Sequence, residues 1–134
     1  MIDIDHLRKH YQDDTVFITE HAAERSRQRG ILSRDIRNAV ENGEIIEQYP
    51  DDFPFPSCLI LGKDLAGNCI HVCMSEEGTA SRIITAYRPD PEKWSDDFRT
   101  RRRTKHEVYD LQSRLHGQRQ KYLFCPAPEL LCDY

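Results

Sequence analysis

The sequence lacks several features that would settle its class at once. No apolar stretch approaches the roughly 20 residues needed to span a bilayer, and the opening Met-Ile-Asp-Ile-Asp-His has neither the basic start nor the apolar run of a secretion signal. The expectation is a cytoplasmic protein with no membrane association. Nucleotide-binding glycine loops, a G-x-S-x-G elbow and an H-E-x-x-H zinc motif are all missing. The five cysteines are odd in number and irregularly spaced, which argues against a disulfide framework. Cys58 precedes an apolar run and reads as a small core residue.

Cys69, His71 and Cys73 alternate on one face of a predicted strand and resemble a metal set, but geometry opposes it. Alternate residues rise about 6.5–7 Å along a strand, so Cys69 and Cys73 stand about 13 Å apart. Zinc ligands lie about 2.0–2.3 Å from a shared ion. The reading therefore assigns no metal and no cofactor.

What is present is a chain of 134 residues, 38% hydrophobic and 31% charged, long enough to bury a core. Its charge is divided. Residues 1–98 carry 19 acidic and 11 basic side chains, whereas residues 99–121 carry 8 basic and 2 acidic ones. An acidic body of residues 1–98 followed by a basic extension over 99–134 is the expected domain organisation. A general nucleic-acid binder is more often basic throughout.

Residues 2–12, with Ile4, Leu7 and Tyr11, predict a short amphipathic helix. Val16-Phe17-Ile18 then leads into Thr19–Gly30, read as a helix with Thr19 as N-cap and Gly30 as its left-handed stop. On it His21, Arg25 and Arg29 fall at i, i+4 and i+8, one row of an imidazole and two guanidiniums. Such a row suits a phosphate, because Arg stays charged and presents planar, bidentate donors. The bland alternative is a solvated face partly neutralised by Glu20 and Glu24.

Ser33, read as an N-cap, opens a second central helix after Thr19–Gly30, with Ile36, Ala39 and Val40 as its buried stripe, ending at Asn42-Gly43. The period then shortens to two. Strands are predicted at Glu44–Tyr49, Ser57–Gly62, Cys69–Met74 and Ser81–Tyr87. A proline-rich loop over 50–56 and a Gly67-Asn68 hairpin separate them. Short connections favour an antiparallel meander. The expected fold is α+β: N-terminal helices, a four-stranded antiparallel sheet and a C-terminal helical extension from about Thr104 to His116. Trp94 and Phe98 are expected to cover a sheet edge.

The polar residues that can carry chemistry are His21, Arg25 and Arg29, then His71 on the third strand, and Arg82, Thr85, Tyr87 and Arg88 at the fourth. These residue types can cleave a phosphodiester: one group takes the ribose 2′-OH proton, another protonates the leaving oxygen, and cations stabilise the phosphorane-like charge. Each also has a structural reading. His71 can be a satisfied strand residue, Arg82 an edge charge that discourages sheet pairing, Tyr87 a packing group and Thr85 a good strand former.

Ile-Thr-Glu-His-Ala-Ala-Glu-Arg-Ser-Arg-Gln-Arg-Gly-Ile, Gly-Glu-Ile-Ile-Glu-Gln-Tyr-Pro and Ile-Ile-Thr-Ala-Tyr-Arg-Pro-Asp occur in that order. Over about residues 16–98 the chain resembles a bacterial family of uncharacterised small domains grouped with RelE-like and BrnT-like toxins. The wider fold class of those toxins includes barnase and colicin ribonucleases. The resemblance implies helices before an antiparallel sheet, a metal-independent ribonuclease activity on RNA, and a cognate antitoxin partner. Its polar signature falls on His21, Arg25, Arg29, Thr85 and Tyr87. The corresponding expectation makes His21, Arg25, Arg82 and Tyr87 catalytic, with Arg29, His71, Thr85 and Arg88 contacting substrate. The acidic body departs from the basic surfaces of ribosome-dependent toxins. A non-catalytic binding module that uses the basic extension, and an enzyme on another anionic substrate, remain the alternatives.

Overall fold

The computed structural model describes residues 1–102, of which Met1–Thr100 form one compact unit. The helix expected at 104–116, most of the basic extension, and Cys125 and Cys132 lie outside the described residues.

The first helix, α1 (Ile4–Gln12), starts where the Asp3 carboxylate accepts from the Asp5 N–H at 2.9 Å. It buries Leu7 against the sheet, with Ile4 and Tyr11 packed on the same core. The second, α2 (Glu20–Gln28), starts at Thr19, whose hydroxyl accepts from the Ala22 N–H at 3.1 Å. Its end is a Schellman closure: Gly30, at φ +75°, donates to the Arg27 carbonyl, and Ile31 donates to that of Ser26, both at 2.9 Å.

The third helix, α3 (Ser33–Asn42), begins one residue earlier than the Ser33 cap predicts. Leu32 occupies the cap position and has no side-chain acceptor. The Asp35 carboxylate instead takes the Leu32 N–H at 2.9 Å and, from its other oxygen, the Leu65 N–H at 3.0 Å. At the far end Arg8 donates to the carbonyls of Val40 (3.0 Å) and Gly43 (2.8 Å), satisfying acceptors the helix leaves open.

The expected four-stranded sheet is a five-stranded one. Val16–Ile18 is not merely a lead-in but a strand, β1, parallel to the last strand. The others are β2 (Glu44–Tyr49), β3 (Ser57–Lys63), β4 (Cys69–Glu76) and β5 (Ser81–Tyr87), in spatial order β1-β5-β4-β3-β2. The four strands β2 to β5 form the predicted antiparallel meander. A three-residue segment has too short a period to announce itself, and its partner lies more than sixty positions away.

The helices cover one sheet face. Leu7, Ile31, Ile36, Ala39 and Val40 pack there on Cys58, Ile60, Ile70, Val72, Met74, Ile83 and Ala86. Burial pushes the Cys58 thiol well above its ordinary range, as a core residue requires. Trp94 and Phe98 do not cover an edge. They close the opposite face, over Leu59, Cys73 and Tyr87.

A bulge in β5 decides which side chains reach that second face. Ile83 pairs with Met74 and Thr85 with Cys73, so Ile84 is an inserted residue. Arg82, Thr85 and Tyr87 consequently share the face of Ser75, Cys73 and His71, although a regular strand would separate position 82 from 85 and 87.

Candidate functional site

The first part of α2 continues directly from β1, and the helix runs beside the end of β5 that β1 leaves unpaired. Ala22 and Ser26 form its buried row. The neighbouring row holds His21, exposed, and Arg25 and Arg29, both half-buried. Arg29 Nη1 donates to the Ala86 carbonyl at 2.7 Å and to Thr85 Oγ1 at 3.3 Å. The last member of the row is thereby tied to the last turn of the strand. Glu24 does not neutralise this row: its carboxylate accepts from Arg27 at 2.5 Å and Gln28 at 3.4 Å, on the outer side of the helix. Hydrogen bonding to Arg27 lowers the Glu24 pKa. His21 makes no hydrogen bond or ion pair among the described residues.

A second group lies beneath Trp94. His71 is fully buried. Its Nε2 is 2.9 Å from the Phe98 carbonyl, which can only accept, so the neutral ring carries its proton there. Nδ1 is then the acceptor for the Tyr87 hydroxyl at 3.2 Å. The His71 ring meets Tyr87 and Trp94 edge-on, with centroids 5.3 and 4.4 Å away.

The two remaining arginines each have a carboxylate partner. Arg82 donates through Nε (3.0 Å) and Nη2 (3.4 Å) to Glu77, and this bond holds the Glu77 carboxyl below its usual range. Arg88 Nη1 is 3.0 Å from Asp64, and Nη2 donates to the Gly30 carbonyl at 3.2 Å. The Asp64 pKa is lowered first by the Asn68 backbone N–H and then by Arg88. Arg88 thus joins the end of α2 to the β3–β4 hairpin.

The sequence-predicted residues therefore fall into four places. Arg29 meets Thr85, with His21 and Arg25 along the same helix row. His71 meets Tyr87 in the buried second face. Arg82 and Arg88 stand at opposite ends of β5. A 250 Å³ cavity lined by Tyr11, Asp14, Val16, Ser33, Arg34 and Arg37, and an open 760 Å³ groove beside β2, include none of them. Among the described residues no three His, Cys, Asp or Glu side chains are grouped to hold a metal ion, and no helix is long and apolar enough to cross a membrane.

Sequence reasoning missed the carboxylates Glu77 and Asp64, and it missed a third polar network. His10 joins Thr15 Oγ1 at 2.8 Å to the Glu76 carboxylate at 3.0 Å. Asp64 had a local signal, because it opens the Gly67-Asn68 turn and takes the N–H groups of Ala66 and Asn68. The His10–Glu76 pair spans 66 positions and had none.

No curated protein and no solved structure matches the chain. A family model does, over residues 18–88. That span is more than half of the sequence, and it runs from the end of β1 to Arg88, so it holds α2, the bulged strand and all eight candidate residues. The chain belongs to the family described as Domain of unknown function (DUF4258).

Proposed function

We propose that the chain is an endoribonuclease of the RelE-like toxin kind, cleaving RNA by general acid–base chemistry and held in check by a cognate antitoxin protein. One observation carries this reading. The Arg29 bonds to Thr85 and Ala86 seat an imidazole–guanidinium row against the end of β5 while Glu24 is drawn away from it. His21 is the proton-transfer group: it is exposed, and an imidazole can both accept and donate a proton. In the cleavage step the 2′-OH loses its proton and attacks phosphorus, and the 5′-oxygen leaves with a proton. Arg25 stabilises the extra negative charge on the phosphoryl oxygens, and Arg82 binds a neighbouring phosphate. Tyr87, its hydroxyl directed to His71, acts by positioning, and Arg29 orients the helix row.

A second reading is favoured by a specific fact. Arg29, Arg82 and Arg88 all bond to protein acceptors, as a non-catalytic binding module of the same fold would also have it.

Growth after induction, and cleavage of single-stranded and ribosome-bound RNA by purified protein, separate the two. The wild type should arrest growth and cut RNA. His21→Ala and Arg25→Ala should lose about 10²- to 10⁴-fold in cleavage rate with unchanged circular dichroism. Intact RNA and normal growth with the wild type would leave the binding module standing. In that case salt-dependent binding should vanish when residues 103–134 are removed.

A further inference from the structure

Phe17 is the middle residue of β1. Val16 and Ile18 on either side of it pack into the helix-side core with Ile83, so the alternation of the strand sets Phe17 on the opposite face. There it is 49% exposed, a large aromatic surface on a strand of only three residues. Its register partner on β5 is Arg82, and in a parallel pair the two side chains share a face. Glu77 holds the Arg82 guanidinium through Nε and Nη2, and Nη1 has no partner among the described residues. Four positions beyond Phe17, in the first turn of α2, stands His21, exposed and unengaged among the described residues.

An exposed ring and a guanidinium at its register partner thus share one face of the sheet, on the strand that leads into the helix whose first turn carries the imidazole. A phosphate alone would need no ring, and an apolar ligand alone would need no cation. A nucleotide needs both, because its base has a face that stacks and its phosphate carries charge. We infer that Phe17 is a base-stacking subsite for single-stranded RNA, with Arg82 on the phosphate next to the stacked base. This rests on the ribonuclease reading and deepens it. The bases of a duplex are already stacked on one another, so a ring on the protein surface selects single strands.

The test uses the full chain and a short fluorescent oligoribonucleotide, 2′-O-methylated so that it cannot be cleaved. Its affinity is compared with that of an abasic oligomer of the same length. The wild type should bind the base-bearing oligomer about 5- to 100-fold more tightly, the range that one aromatic stack supplies. Phe17→Trp should keep that ratio. Phe17→Leu, which preserves an apolar strand residue, and Phe17→Ala should both bring it close to one. Because each variant is measured against itself on two ligands, a partial loss of folded protein does not imitate the result.

A ratio near one for the wild type, or an undiminished ratio in Phe17→Leu, overturns the subsite and leaves the ribonuclease reading untouched. The second of these outcomes would assign the exposed ring to a protein-docking surface instead. Failure of the wild type to bind either oligomer or to cleave unmodified RNA overturns the subsite together with the ribonuclease reading.

Discussion

At the scale of single residues, the buried side-chain polar atoms among the described residues have hydrogen-bond partners with one exception. The Ser26 hydroxyl is buried in the inward row of α2 with no hydrogen-bond partner. Its neighbour in that row, Ala22, is the other buried side chain of the helix. An unpaired buried hydroxyl costs about 1–3 kcal/mol, and alanine is the better helix former. Ser26→Ala should therefore stabilise the fold by about 1 kcal/mol, read as a higher midpoint in urea with unchanged slope. Loss of stability would mean that the hydroxyl is satisfied in solution. Asp35 shows the opposite situation. It too is nearly buried, but its two oxygens take N–H groups from Leu32 and Leu65, so it links a helix start to a hairpin.

Among elements, α3 and β3 approach closely, and the approach depends on glycine. A Cβ at Gly62 would stand 2.6 Å from the Cα of Ala39 and would overlap that residue's carbonyl oxygen. Backbone cannot retreat as a flexible side chain can. Gly62→Ala should therefore cost at least the 1–3 kcal/mol typical of overpacking, and Gly62→Val more. Thermal unfolding measures both. An unchanged midpoint for Gly62→Ala would show that α3 can ride outward.

The sequence shows this neighbourhood only in part. Ala39 on the apolar stripe of α3 and one glycine in an apolar strand suggest close packing, but which helix meets which strand depends on topology. The same limit explains what was legible elsewhere. Strong local signals, such as Thr19 with Gly30 or the Gly67-Asn68 turn, located elements to within a residue or two. The β1–β5 pairing and the bulge at Ile84 arise from long-range register and have no local mark. Of the candidate site, the His21/Arg25/Arg29 row was readable from helical spacing. The carboxylates that hold Arg82 and Arg88 were not, because Glu77 and Asp64 resemble ordinary turn residues in sequence.

At the scale of the molecule, the described residues cover one sheet face with helices and the other mainly with a short irregular segment. That segment, residues 88–100, brings Trp94 onto His71 and Tyr87, and the His71 imidazole binds it directly through the Phe98 carbonyl. His71 is therefore read as the fastening of the second face, reaching it from the centre of the sheet. Replacing it by leucine keeps approximate volume but removes the N–H donor to Phe98 and the acceptor facing the Tyr87 hydroxyl. Each lost hydrogen bond costs about 0.5–1.5 kcal/mol, so His71→Leu should destabilise the fold and loosen the segment. Trp94 is the only tryptophan in the chain, and its fluorescence reports this position alone. Burial of Trp94 predicts blue-shifted emission in the wild type, moving to the red in His71→Leu under native conditions. Lower stability with unshifted emission would mean that Trp94 packing alone holds the segment. If the emission does shift, growth arrest and RNA cleavage by the same variant ask whether Tyr87 must be held for the α2 row to act. Reduced cleavage with unchanged RNA affinity would assign the buried pair to positioning. Unchanged cleavage would confine the chemistry to α2 and the β1 end of the sheet.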